Sequence, residues 1–158
     1  MKLLFKERLF SWLDSYDVYD EAGNAVYTVQ GVLSWGHCLK IFDAQGAEVG
    51  VVKEEVLTFL PRFELTIGGE YVGEIRKEFT FFRPAFTVDY NGWSIEGDLW
   101  EWNYVVADSD GRPVMTVNKE LFNWTDTYVL DVADPKDALA GLMVVLAIDA
   151  AKCSQGND

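Results

Sequence analysis

Apolar and polar residues alternate along most of this chain with the two-residue period of half-buried strands. Phe63, Leu65 and Ile67 share one face of such a strand, while Arg62, Glu64 and Thr66 share the other. Phe86, Val88 and Tyr90 alternate with Thr87 and Asp89, and Tyr128, Leu130 and Val132 with Val129 and Asp131. Tyr71, Gly73 and Ile75 oppose Val72, Glu74 and Arg76, and the glycine can admit another backbone closely. Turn sequences punctuate the alternation: Asp20-Glu21-Ala22-Gly23, Asp43-Ala44-Gln45-Gly46, Gly68-Gly69, Asn91-Gly92 and Asp108-Ser109-Asp110-Gly111. Such Asp…Gly and Asn-Gly turns supply the positive φ that tight hairpins require. About a dozen short strands at this spacing predict an all-β sandwich or barrel.

The strands also repeat. Lys-Glu recurs at Lys6-Glu7, Lys53-Glu54, Lys77-Glu78 and Lys119-Glu120, followed each time by an aromatic-rich stretch and then an alternating segment. The first two copies align Trp12 with Phe59, Leu13 with Leu60, Tyr16 with Phe63 and Val18 with Leu65. The last two align Phe82 with Trp124, Phe86 with Tyr128 and Val88 with Leu130. Gly31…Gly46…Lys53 is echoed by Gly97…Gly111…Lys119, which suggests two similar halves.

The pattern changes at Asp134-Pro135-Lys136-Asp137, a helix start with an N-cap acid and proline at the first helical position. From Ala138 to Ile148 every residue is apolar or glycine. A helix without a polar face is buried on all sides or lies in a membrane. A span needs about 20 apolar residues, and Asp149 ends this run sooner. The helix from Pro135 to Ala151 is therefore expected inside the barrel, against inward residues such as Leu65, Ile67, Ile75, Val88 and Leu130. Leu142, Met143, Val145 and Leu146 should all be buried. The chain reads as one domain over residues 1–152 with a short tail over 153–158, and an interior filled by the helix leaves little room for a ligand.

Composition narrows the function. With 49% hydrophobic residues the chain can build a core. Acids outnumber bases 26 to 13, a net charge of −13, which disfavours nucleic-acid binding. Cys38 and Cys153 imply no disulfide framework. The apolar opening is broken by Lys6, Glu7 and Arg8 before a signal-peptide core can form, which predicts a cytoplasmic protein.

Several motifs, in order, carry a family resemblance. These are Lys6 to Ser11, the Asp20…Gly23 turn, Gly97-Asp98-Leu99-Trp100-Glu101-Trp102, the stretch from Asn118 to Tyr128, and the helix ending Ala147-Ile148-Asp149. On these the chain resembles the LURP-one-related family, in particular its bacterial YxjI-like members. The family is similar to the tubby C-terminal domain and the phospholipid scramblases. The resemblance implies a mainly β fold, a closed antiparallel barrel of twelve strands around one buried C-terminal hydrophobic helix. Tubby domains hold phosphoinositide headgroups on a basic cluster. No such motif maps onto this chain residue by residue, so no site is carried over.

Candidate chemistry is sparse. His37 adjoins Cys38, and on a strand the two side chains point to opposite faces, so they make no catalytic pair. Too few Cys and His residues are present for a zinc site. Asp108-Ser109-Asp110-Gly111 has its glycine too early for a calcium loop and lacks the terminal glutamate. Lys53, Arg62, Arg76, Lys77 and Arg83 would form a local basic spot for phosphate or lipid if they converged. The reading is a non-enzymatic binding or scaffold domain without cofactor or metal, meeting a lipid or protein partner on the barrel exterior. The alternative is a carbohydrate-binding or carbohydrate-active surface built from Trp93, Trp100, Trp102 and Trp124 beside Glu96, Asp98 and Glu101.

Overall fold

Each turn sequence reverses the chain and lays consecutive strands side by side. The computed structural model describes residues 1–6, 15–122 and 125–155. Its strands are β1 (Lys2–Lys6), β2 (Ser15–Tyr19), β3 (Ala25–Val32), β4 (Cys38–Asp43), β5 (Glu48–Glu54) and β6 (Arg62–Ile67). They continue with β7 (Glu70–Lys77), β8 (Phe86–Asp89), β9 (Ser94–Asp98), β10 (Asn103–Ala107), β11 (Pro113–Phe122) and β12 (Thr125–Val132). All twelve form one antiparallel sheet in the order β8-β7-β6-β5-β4-β3-β2-β1-β12-β11-β10-β9. The sheet curls into a nearly closed barrel. Its two ends, β8 and β9, are neighbours joined by the Asn91-Gly92 turn, so a seam stands where the expected closure would be.

Inward positions follow the period-two pattern: Leu3, Val18, Val29, Ile41, Val52, Leu65, Ile75, Val88, Val106, Val117 and Leu130 are all buried. Gly73 takes the role its lack of a side chain allows. A Cβ there would overlap the backbone carbonyl of Asp89 on β8, so only glycine lets the terminal strand pack this closely.

A 3₁₀ turn, Pro135–Asp137, leads into the helix α1 (Ala138–Gln155). Asp134 caps the turn, its Oδ1 accepting from the Lys136 amide at 3.0 Å. The helix runs past Ala151, taking the first residues of the expected tail into its last turns. From Leu142 to Ile148 each side chain is fully buried, so over these two turns no face of the helix meets water. It approaches β5, β7 and β12 inside the barrel. Leu65, Ile75, Val88 and Leu130 are buried in the same core, while Ile67 is half-buried beside the Gly68-Gly69 turn. Glycines make room for methionine sulfur: a Cβ on Gly141 would stand 2.8 Å from Met115 Sδ, and one on Gly50 3.1 Å from Met143 Sδ.

Up-and-down connectivity gives the barrel two unlike ends. One, the turn end, carries the tight connections after the even-numbered strands and receives the start of α1. Asp20, Asp43 and Asp108 build three equivalent turns there. Each carboxylate oxygen accepts two backbone amides at 2.9 Å, from residues two and four positions on. The Asp108 segment is thus a hairpin turn. The other end carries the connections after the odd-numbered strands, among them the long β5–β6 and β7–β8 loops, and the last turn of α1.

Candidate functional site

The loops at that second end are apolar and exposed. Ten of the twelve large hydrophobic residues exposed among the described residues lie on them or on the adjoining strand ends; only Tyr19 and Tyr71 lie elsewhere. Leu33 and Trp35 belong to the β3–β4 loop, Val56, Leu57 and Phe59 to β5–β6, Phe79, Phe81 and Phe82 to β7–β8, and Trp100 to β9–β10. Leu121 completes the ring at the end of β11. Phe82 is 95%, Phe59 91% and Trp35 87% exposed. We call this ring the crown. Pro61 and Pro84 near the loop ends, and runs such as Phe79-Thr80-Phe81-Phe82 that lack strand alternation, keep these segments out of the sheet.

The crown loops are fastened at their bases. The His37 amide donates to Glu54 Oε2 at 3.0 Å, and His37 Nε2 lies 3.6 Å from the same oxygen. His37 is thus a half-buried strut between the β3–β4 loop and β5. Cys38 beside it is buried, and burial pushes its thiol pKa up. On the far side, the Lys152 ammonium in the last turn of α1 sits 4.0 Å from the Trp102 ring centroid and donates to the Trp100 carbonyl at 3.3 Å. A cation there also suits the negative end of the helix dipole.

Four of the five basic candidates gather at the crown. Arg62, Arg76 and Lys77 line a cleft of about 270 Å³ with Phe59, Leu60 and Glu78. Lys77 and Arg83 line a neighbouring one of about 270 Å³ with Phe79, Phe81, Phe82 and Trp100. Arg62 and Arg76 are direct cross-strand partners, and Glu74 offsets their repulsion at 3.9 and 3.5 Å. Glu55 adds a contact to Arg62 at 3.6 Å. Desolvation lowers the Lys77 pKa. Arg83 makes no ion pair among the described residues. Lys53 is set apart, opposite Glu64 in the β5–β6 register.

The tryptophans do not form the expected common surface. Trp93 is buried at the turn end, 4.9 Å edge-on from Tyr90. Trp102 is buried against Tyr128 at 4.5 Å. Both rings belong to the hydrophobic core. Trp100 is exposed, and Trp124 lies outside the described residues. Among the described residues no group of three or more His, Cys, Asp or Glu is placed to hold a metal ion. None of their helices is long and apolar enough to cross a membrane. The crown itself was the feature missed by sequence reasoning. Part of its signal was present in the aromatic stretches that follow Lys53-Glu54 and Lys77-Glu78, whereas Trp35 and Trp100 follow no such pair.

Comparison with known proteins agrees with this architecture. The LURP-one-related family profile matches residues 1–149. The uncharacterised protein YxjI of Bacillus subtilis is 31% identical over 150 residues, 94% of this chain and 92% of its own. A crystal structure of an Arabidopsis thaliana protein superposes with a TM-score of 0.62 at 12% identity, covering 94% of this chain and 90% of the other, a likeness of fold.

Proposed function

This chain belongs to the LURP-one-related family, and from that premise we propose that it is a non-enzymatic binding module whose partner-facing surface is the crown. One observation carries the reading: among the described residues, nearly all exposed large hydrophobics gather at one end of a barrel whose interior its own helix occupies. Exposed apolar clusters of this kind mark interaction surfaces, since scattered single residues would be ordinary. Pre-formed loops anchored by Glu54 and Lys152 lower the ordering cost of binding.

Photo-cross-linking in the native host tests the reading. A benzophenone amino acid in place of Trp35, Phe59 or Phe81 should give adducts, while the same group at Tyr71 should not. Adducts confined to Tyr71, or none at the crown, would remove it.

A further inference from the structure

We propose that the occupant of the crown is the interfacial layer of a lipid bilayer, entered end-on by the loop tips. This rests on the crown being the partner surface and names what covers it.

The first argument is shape. Trp35, Leu57, Phe59 and Phe82 project from three separate loops and are almost wholly exposed. The core of a protein interface is a contiguous patch packed as densely as a protein interior. Clustered tips divided by open clefts are poorly suited to that, whereas fluid acyl chains and headgroups close around each one. Trp and Phe are also the residue types that enter this boundary readily.

Leu57 is the second. It holds φ at +63° in a loop and is fully exposed. A branched apolar side chain in the left-handed region costs energy, and no packing among the described residues compensates it. A partner that buries the side chain would.

Charge is the third. The turn end carries Asp20, Glu21, Asp43, Asp108, Asp110 and Asp134 against Arg112 and Lys136, which pair with Asp110 and Asp134. The crown has the acids Glu55, Glu78 and Glu101, but cations stand among them just behind its apolar tips: Lys77 and Arg83 share a cleft with Glu78 and with Phe79 to Phe82, and Lys152 lies at the base of Trp100. An anionic surface therefore meets the crown at lower electrostatic cost than the turn end. With the tips inserted, Lys77 and Arg83 reach phosphate depth, their stems along apolar surface and their charges in the headgroups. This is shallow hydrophobic insertion with cationic support, and it needs no headgroup-specific pocket.

Flotation of the full chain with unilamellar vesicles decides the matter, using phosphatidylcholine alone or with about one-third phosphatidylserine. The wild type should float with the mixed vesicles, more weakly with phosphatidylcholine alone, and its tryptophan emission should shift to the blue. Trp35→Ser, Phe59→Ser and Phe82→Ser should each weaken partitioning about tenfold while keeping the wild-type melt. Arg83→Glu should abolish the preference for phosphatidylserine, and Tyr71→Ser should change nothing. Absence of flotation with both vesicle types, or flotation indifferent to all three crown substitutions, overturns the proposal. If vesicles are ignored but crown cross-linkers capture a protein, the bilayer is wrong and the crown remains the partner surface. If neither occurs, both readings fall.

Discussion

The Tyr104 hydroxyl is buried in the barrel without a protein hydrogen-bond partner among the described residues. Burial, and after it the negative charge of Asp149 on α1, holds its ionisation well above the ordinary tyrosine range. The sign follows from linkage. A phenol harder to ionise folded than unfolded contributes stability that is fully present below the unfolded value of about 10 and is lost as pH rises through it. Tyr104→Phe keeps the ring beside Trp102, 6.1 Å away, and removes the orphan oxygen. Thermal melts should show a midpoint unchanged or raised at neutral pH and a smaller loss of stability above pH about 10. Destabilisation by more than about 1 kcal/mol at neutral pH would show that the hydroxyl is satisfied. Alternation in the sequence is enough to turn Tyr104 inward with Val106. Asp149 as its neighbour is not legible there, because only the threading of the helix brings them together.

At the scale of the element, α1 is the most legible part of the chain. Its cap, its proline and its lack of any polar face specify a fully buried helix, and Leu142 and Leu146 are wholly inaccessible. Leu142→Ala or Leu146→Ala should cost about 2–5 kcal/mol and lower the thermal midpoint markedly. Leu142→Asp should prevent folding, because the charge has no partner in this core. A soluble Leu142→Asp protein with wild-type melting would place the helix outside. The recurring Lys-Glu pairs are equally readable once the strands are counted. In an up-and-down sheet the odd-numbered strands run toward one end, so Lys6, Lys53, Lys77 and Lys119 all fall in the halves of their strands nearest the crown. The tryptophans were harder to read, because Trp93 and Trp102 lie in connections where alternation gives no direction.

Across the whole molecule, barrel and helix share one hydrophobic core among the described residues, inward strand side chains packing with those of α1. Truncation after Ala133 should remove the filling and leave no native near-UV circular dichroism, with the product unfolded or aggregated. A truncated chain melting as the full one does would show that the barrel stands alone. The net charge of −13 also acquires meaning only at this scale. As a sum it argued against anionic partners. Its distribution, with carboxylate turns at one end and cations behind aromatic tips at the other, permits one.

What the sequence by itself determined is whatever local period and local chemistry encode. These are about a dozen strands, the Asp…Gly turns that join them, and a helix with no polar face that had to be enclosed. The family motifs agreed with the same architecture. Only the tertiary structure decided which long-range neighbours meet. Curling the sheet set Arg62, Arg76, Lys77 and Arg83 around two adjoining clefts but left Lys53 opposite Glu64. It also buried Trp93 and Trp102 while leaving Trp35, Phe59 and Phe82 in water. The physical reason is that a loop residue's burial depends on where its loop lies over the closed barrel, and no local periodicity records that path.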